Sequence, residues 1–328
     1  MSESVGEIPS VGPAPRRRRA LLADMAVRLV REKPLGTAGA VIVLLMLFTG
    51  IFADLLAPYG MNQVSLADRL TGPSGAHILG TDNLGRDLLS RIIFGARISM
   101  YVGLGASLLD VVGATIIGII SGFIGGKTDL IIQRFVDAWM CFPGLVIFLT
   151  VISIIGPGLV QVILVLGISS SIRSSRVVRS AVMNIKENMY IHSAVSIGAP
   201  TIRILTRHVL PNIMAPIIII FTLAMGSMII AEASLSFLGF GIPPPAPSWG
   251  GMLSGSGRTY MVNAPWMAIW PGLALAIVVY GINMLGDAVR DILDPRLRGG
   301  LGRYAGAKIK GRAKEAQQAA AAEEAEKR

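Results

Sequence analysis

Long apolar runs separated by short polar segments dominate the pattern of hydrophobic and polar positions along this chain of 328 residues. A helix that crosses a bilayer needs about 20 mostly apolar residues. Runs of this kind predict six membrane spans, at 36–57, 98–124, 130–153, 159–179, 213–238 and 266–287. The pattern therefore predicts an all-α polytopic membrane protein with about six transmembrane helices, and an even number of spans places both termini on one side.

The distribution of basic residues predicts which side that is. Cytoplasmic loops of membrane proteins carry an excess of lysine and arginine. With the N-terminus inside, the cytoplasmic segments hold the basic run 16–33, the basic loop after the fourth span and the basic C-terminal tail. The outer segments 154–158 and 239–265 hold only Arg258, and the first outer loop, 58–97, is the exception. We expect both termini to be cytoplasmic.

Composition supports a membrane protein and excludes two other classes. Only 15% of the residues are charged, against about a quarter in soluble domains. The net charge of +10 does not indicate nucleic-acid binding, because the basic residues lie at the ends of apolar runs rather than on one soluble face. Cys141 is the single cysteine, which excludes an internal disulfide framework. The segments 1–34 and 299–328 are predicted to be solvated cytoplasmic tails.

The polar stretch HSAVSIGAPTIRILTRHVLPN, residues 192–212, has the features of a docking element. Its small residues Ser193 and Ala194 allow another backbone to approach closely, and Gly198 permits a sharp change of direction between two short helices. Apolar residues at i, i+3 and i+7 predict one stripe, namely Ile202, Leu205 and Val209. Taken alone, these features fit an interfacial amphipathic helix among lipid headgroups equally well.

This stretch resembles the EAA loop of bacterial ABC importer permeases. The pattern of that loop is Glu-Ala-Ala, three residues, Gly, nine residues, Ile, any residue and Leu-Pro. Matching positions are Ala194, Gly198, Leu210 and Pro211, and departures are His192, Ser193 and His208. The resemblance implies a coupling loop, 187–211, that fits a groove on a cytoplasmic ATPase. Its candidate contact residues are His192, Ser193, Ala194, Gly198, Ile202, Leu205, Leu210 and Pro211.

Four further segments resemble the dipeptide, oligopeptide and nickel permeases of the OppC and DppC type. They are HILGTDNLGRDLLSRIIFGARISM (77–100), EASLSFLGFG (232–241), PAPSWGGML (245–253) and DAVRDILDPRLR (287–298). The resemblance covers roughly residues 30–300. It implies a type I ABC importer permease with the MetI-like fold. In that fold a first transmembrane helix and outer loop, 35–97, precede a five-helix permease core, 98–298.

The same resemblance implies the partners and the location. A permease of this type pairs with a second, homologous permease of the OppB or DppB type, with two ABC ATPases and with an extracytoplasmic solute-binding protein. It lies in the bacterial inner membrane and provides a pathway for di- and oligopeptides or similar small solutes. ATP and Mg²⁺ are expected in the partner ATPases, and no cofactor is expected in this chain.

Ionisable residues inside the predicted spans are candidates for the translocation pathway or its gate, because a charge near the bilayer centre is costly. Asp110 lies in the second span and Glu232 in the fifth. Hydrogen bonding between helices is the alternative role for both. Trp249, in the last outer segment, is a third candidate, and its alternative role is an anchor in the headgroup layer, which indole rings prefer.

The first outer loop also contains a cluster of charges around Gly85, formed by Asp82, Arg86 and Asp87. These residues fit either a small ion-pair knot or a contact with a partner at the outer face. Turn chemistry around the aspartates and the glycine favours the knot.

Two other functional classes are compatible with several membrane spans. The main alternative is an ion-coupled secondary transporter of small solutes, which predicts inverted repeats and broken helices around a midplane ion site. No internal repeat is evident in this sequence. A membrane-embedded enzyme needs clustered nucleophiles or metal ligands, and the three histidines, His77, His192 and His208, form no pair within a span. We therefore predict no catalytic residue and no metal site in this chain.

Overall fold

Helices account for most of residues 26–293, the part of the chain that this computed structural model describes. The predictions for residues 1–25 of the N-terminal tail and for the tail 299–328 lie outside the described residues. Residues 26–32 are helical, and the following helices are α1 Pro34–Ile51, α2 Ala53–Leu56, α3 Leu88–Ile119, α4 Gly126–Met140, α5 Gly144–Ile155, α6 Leu159–Lys186, α7 Met189–Ser196, α8 Thr201–Ile204, α9 Leu210–Asn212, α10 Met214–Phe237, α11 Trp249–Leu253, α12 Gly255–Tyr260 and α13 Trp266–Leu293. Two π-helical turns, Ile120–Ile124 and Leu205–Val209, and one 3-10 turn, Leu66–Asp68, complete the elements.

The predicted number of spans is only partly confirmed. Within residues 26–293, four helical segments are long and apolar enough to cross a membrane, and they are Pro34–Ile51, Leu88–Ile124, Met214–Phe237 and Trp266–Leu293. They correspond to the predicted first, second, fifth and sixth spans. The second begins at Leu88 rather than at residue 98 because Asp87 caps it, accepting a hydrogen bond from the Ser90 amide. Stated from the structure alone, the fold is an all-helical bundle with four or five candidate spans.

The third predicted span is wrong as a single helix. Helices α4 and α5 together are apolar enough to count as one further span, but they meet at an angle of 89°. The break falls at Cys141–Pro143, because proline cannot continue a helix and disfavours helical geometry in the residue before it. The fourth predicted span, 159–179, lies within the continuous helix α6. This helix is not among the four candidate spans because its serines and arginines make it less apolar than they are.

Small residues allow the long helices to approach one another closely. Helix α3 runs through the middle of the bundle and packs along α6, and α1 packs along α13. A Cβ atom added at Gly39 of α1 would lie only 2.4 Å from the carbonyl oxygen of Gly281 in α13. Close backbone contact of this kind is the usual basis of helix association in membranes, where apolar burial gives no advantage over lipid.

Candidate functional site

The candidate coupling loop is attached to the helix bundle through a buried apolar cluster at one end of the bundle. The cluster joins the loop to α3, α6 and α10, and its buried members are Val111, Ala114, Val178, Val182, Ile191, Ala194, Ile204, Val209, Ile213 and Ile217. Residues of the loop therefore share one core with three long helices. Because such a core is closely packed and resists compression, a force applied to the loop reaches those helices directly.

Gly198 ends helix α7 with the backbone geometry predicted from sequence. Its φ angle of 75° lies in the left-handed region that favours glycine. The Gly198 amide donates to the Val195 carbonyl at 2.9 Å, and the Ala199 amide donates to the Ala194 carbonyl at 3.1 Å. These two bonds form a Schellman motif, which satisfies the free carbonyl groups at the end of the helix. The turn then directs the chain into α8.

The predicted stripe of Ile202, Leu205 and Val209 is wrong in part. Ile202 is 76% exposed, whereas Ile204 and Val209 are buried and Leu205 is partly buried against the same cluster. The π-helical turn Leu205–Val209 explains the difference, since its wider turn places residues five apart on the same face. Ile204 and Val209 have this spacing. A regular α-helical period places Val209 on the same face as Ile202, whereas in the structure Val209 is buried in the same cluster as Ile204.

Four apolar side chains of the coupling loop, Met189, Val195, Ile197 and Ile202, are exposed, and together they are called its outward face here. Ile197 is the most exposed of the four, at 83%. His192 and Ser193 are exposed as well. Ala194 was predicted to allow the approach of another backbone, but the structure places it inside the buried cluster of its own chain. An exposed apolar surface of this kind commonly marks an interaction site.

Helix α4 is fastened to α6 next to this loop by ion pairs rather than by apolar contact. Arg179 of α6 donates from Nε to Asp129 Oδ1 at 2.6 Å and from Nη2 to Asp129 Oδ2 at 2.5 Å. Arg176 pairs with Asp137, about two turns further along α4. Val136 is the buried residue of α4. The structure therefore pairs both acids of α4 with arginines of the neighbouring helix α6.

Glu232 is fully buried near the opposite end of the bundle, at 1% exposure. Its Oε1 accepts a hydrogen bond of 2.6 Å from the Ser236 hydroxyl, and Ser236 Oγ accepts one from the Ile242 amide at 3.3 Å. The three groups tie the segment after α10 back onto that helix. This geometry supports a role in holding the segment, and a pathway or gate role for Glu232 remains a prediction.

Asp110 is buried between α3 and α6, where Ser174 hydrogen-bonds to its side chain. Its Oδ1 atom has no hydrogen-bond partner among the described residues, and the same holds for the Ser107 hydroxyl one turn earlier on α3. The placement fits the hydrogen bonding between helices that the sequence left open. Its part in a pathway likewise remains a prediction.

Trp249 begins the short helix α11 and packs between α3 and α10. Its indole Nε1 donates to the Ile92 carbonyl at 3.1 Å, and a Cβ atom at Gly95 would lie 2.7 Å from its ring. A Cβ atom at the next residue, Gly250, would lie 2.2 Å from the Ala233 carbonyl oxygen. The Trp249 side chain is thus an anchor inside the protein rather than in the headgroup layer, and its role as a gate stays a prediction.

We expect Ser236→Ala to destabilise the protein. The substitution leaves a buried carboxylate oxygen without its partner, which costs roughly 1–3 kcal/mol. The matched control is Ser234→Ala on the same helix, since the exposed Ser234 hydroxyl bonds, within the described part of the chain, to the Ile230 carbonyl one turn earlier. The melting temperature of the detergent-solubilised protein should fall clearly for Ser236→Ala and very little for Ser234→Ala. Equal shifts would contradict the proposed holding role.

The charged cluster around Gly85 forms an ion-pair knot at the end of the bundle opposite the coupling loop. Asp82 accepts from Arg86 Nε at 2.7 Å and from the Leu84 amide at 2.8 Å. Asp87 contacts His77 Nδ1 at 2.9 Å and caps α3. The knot interpretation of these charges is confirmed, and the sequence missed that Arg91 lies against the same Asp82 carboxylate at 3.7 Å.

Two family models match this chain. The model described as the binding-protein-dependent transport system inner membrane component matches residues 114–299, and the N-terminal transmembrane domain of oligopeptide transport permease C matches residues 22–73. The first match covers the coupling loop and every helix from α4 onward. The chain belongs to the family of binding-protein-dependent transport system inner membrane components. It is an ABC importer permease by membership of that family.

Several named relatives align in sequence with this chain over nearly their whole length. The dipeptide transport system permease protein DppC of Alkalihalophilus pseudofirmus is 37% identical, over 83% of this chain and 90% of its own. The glutathione transport system permease protein GsiD of Pectobacterium atrosepticum is 40% identical, over 86% of this chain and 98% of its own. A putative peptide transport system permease protein of Brucella suis is 36% identical over 89% and 95%.

A solved structure supports the fold. A chain of the MetNI methionine ABC transporter, in inward-facing conformations, superposes with a TM-score of 0.51 at 16% sequence identity. The match covers 62% of this chain and 96% of the other. The MetI-like permease architecture implied by the sequence is therefore present in this permease.

Proposed function

We propose that this permease forms, together with a second and homologous permease, the translocation pathway of an ATP-driven importer for di- and oligopeptides or similar small solutes. In this proposal the chain crosses the bacterial inner membrane six times, with α4 and α5 as a broken third span, α6 as the fourth, and both termini in the cytoplasm. The relatives named for dipeptide, glutathione and peptide transport support small peptides as the substrate class.

The observation that carries the proposal is the two-sided construction of the coupling loop. Its inner side shares a core with α3, α6 and α10, while its outward face presents exposed apolar side chains. A cytoplasmic ATPase that seats on the outward face would move these helices when it closes. Nucleotide bound far from the pathway would then bias the permease between two conformations.

The remaining partners follow from this arrangement. We propose two ABC ATPases on the cytoplasmic side and a solute-binding protein on the outer side. ATP and Mg²⁺ belong to the ATPases, and this chain binds no cofactor of its own. The broken helix α4–α5 is a feature that an ion-coupled transporter also predicts, but the break is explained by Pro143, and the family match favours ATP coupling.

The energy source tests the proposal. Cells that carry the complete importer should take up radiolabelled trialanine, and uptake should fall when arsenate depletes ATP. Collapse of the ion gradients by a protonophore, with ATP maintained, should leave uptake nearly unchanged. The control strain lacks only the gene for this chain. Uptake that follows the ion gradient and survives ATP depletion would identify the ion-coupled alternative instead.

A further inference from the structure

A cavity of about 320 Å³ lies at the end of the bundle opposite the coupling loop. It is lined by the loop that carries Asp82 and Arg86, the start of α3 with Arg91, Pro157 between α5 and α6, and the segment between α10 and α13. Prolines and glycines of that segment give it a stiff apolar wall, and hydroxyl groups line the rest, from Ser236, Ser248 and Ser254. Its size falls within the range of about 300–1,000 Å³ that is usual for small-molecule sites.

The charges in this cavity are not balanced. Arg86 and Arg91 both line it, and their side chains are only 13% and 8% exposed. The carboxylate of Asp82, itself 5% exposed, is shared between them, at 2.7 Å from Arg86 Nε and 3.7 Å from Arg91 Nε. Two guanidinium groups and one carboxylate leave one positive charge in a largely desolvated place. An excess of buried positive charge is unfavourable, so the site favours an additional anion.

The neighbouring acids are occupied elsewhere. Asp82 Oδ1 accepts from the amides of Leu84 and Arg86, at 2.8 and 3.0 Å, which leaves Oδ2 for the two arginines. Asp87 is used by His77 and by the capping bonds to Ser90. Glu232 lies behind Ser236 and does not line the cavity.

Free donors remain on the arginines. Within residues 26–293, the hydrogen bonds of the Arg86 side chain are made through Nε alone, which leaves its terminal Nη groups available. Arg91 uses Nη1 for the Met61 carbonyl at 3.3 Å, and its Nη2 group has no bonded partner among those residues. Terminal guanidinium nitrogens of this kind bind a carboxylate through two parallel hydrogen bonds.

We propose that this cavity is a transit site for a carboxylate group of the transported solute, held by Arg86 and Arg91. The inference rests on the proposed function, since it places the site on the outer side of a solute pathway. A peptide always has a carboxylate unless its C-terminus is modified. The stiff proline wall and the hydroxyl groups would accommodate the adjoining residue without requiring one particular side chain.

The test compares two probes that differ only in this group, trialanine and trialaninamide. The complete importer, with its ATPases and its binding protein, is reconstituted into proteoliposomes, and the uptake of each probe is measured at saturating concentration. For Arg86→Gln we expect a decrease of roughly tenfold for trialanine, equivalent to about 1.4 kcal/mol, and less than a twofold change for trialaninamide. Arg86→Lys keeps the positive charge and should retain most of the trialanine uptake.

The same binding protein serves every permease variant, so a change in the ratio between the two probes originates in the permease. If Arg86→Gln lowers both probes equally, the inference is overturned. If Arg86→Gln also lowers the affinity of the permease for the binding protein, the carboxylate that Arg86 contacts belongs to the binding protein rather than to the solute. If the wild-type importer shows no ATP-dependent uptake of either probe, the proposed function itself fails, and this outcome is distinct.

A second variant covers the case in which Arg86→Gln does not assemble. Ser254→Asp introduces a carboxylate into the cavity wall, where it would compete for the arginines without removing them. We expect it to lower trialanine uptake several-fold and to leave trialaninamide uptake nearly unchanged, with Ser254→Asn as the neutral control. Equal effects of Ser254→Asp and Ser254→Asn on trialanine would also contradict the carboxylate site.

Discussion

We expect Gly198→Asp to lower ATP-driven uptake by at least roughly tenfold, while the permease stays folded and in the membrane. A Cβ atom at Gly198 meets no heavy atom of the described residues within 4 Å, so the new side chain does not disturb the packing of the bundle. The new side chain would instead project from the surface of the coupling loop on which an ATPase is proposed to bind. A desolvated carboxylate in that interface would cost more than the 1.4 kcal/mol that a tenfold loss requires.

Backbone strain alone does not produce the expected loss, and Gly156→Asn, an uncharged substitution of the same size, provides the control. Gly156 follows helix α5, has a φ angle of 89°, and has no heavy atom of the described residues within 4 Å of a built Cβ atom. Both substitutions therefore place a side chain at positive φ at the C-terminal end of a helix, and the ψ angle of 156° at Gly156 makes the strain there at least as large. They differ in position, because Gly156 lies at the end of the bundle opposite the coupling loop.

Two measurements separate coupling from folding. Membrane-inserted permease should be present at wild-type levels for both variants, and the purified Gly198→Asp complex should lose the stimulation of ATP hydrolysis by the loaded binding protein. If Gly156→Asn and Gly198→Asp impair uptake to the same extent, strain explains the effect. If Gly198→Asp leaves both uptake and stimulation unchanged, no ATPase seats on this loop.

Reversal of one charge in the ion pair between α4 and α6 is expected to have the second-largest effect. In Asp129→Arg the new arginine faces Arg179, which at present holds Asp129 through two hydrogen bonds. The ion pairs carry much of the attachment, since Val136 is the buried residue of α4. We expect α4 to separate from α6 and uptake to fall roughly tenfold, corresponding to about 1.4 kcal/mol.

The double variant Asp129→Arg with Arg179→Asp restores opposite charges and should recover a large part of the uptake. The control is Lys127→Glu, a reversal at an exposed position of the same helix. We expect it to change uptake less than twofold, because exposed charges contribute little. A double variant whose uptake stays as low as that of the single variant would show that the two residues act independently. The readout is uptake per ATP hydrolysed, which a loss of expression alone does not alter.

Local features of the sequence were sufficient for a large part of the candidate site. The Schellman turn at Gly198 depends on a few consecutive residues, so its position was predictable from the small residues and the glycine alone. The break between α4 and α5 also had a local marker, Pro143, but the continuous apolar run around it indicated a single span. Here the hydrophobic pattern and the proline disagreed, and the proline determined the backbone.

Other features depended on contacts that no local pattern contains. The π-helical turn Leu205–Val209 changed which side chains of the coupling loop are buried, and Ile202 became part of the outward face. Arg179 and Asp129 are 50 residues apart in the chain, so their pairing required the crossing of two helices. The position of Ala194 inside the bundle likewise depended on three helices converging on it.

The sequence by itself determined that this protein is a helical membrane permease and where its candidate coupling loop lies, because apolar runs and short motifs act over a few residues. Only the tertiary structure decided that the loop has one buried and one exposed apolar side. It alone brought Arg86 and Arg91 to a single Asp82 carboxylate in one cavity. Burial and charge balance are properties of residues distant in sequence and close in space, and a linear pattern does not record them.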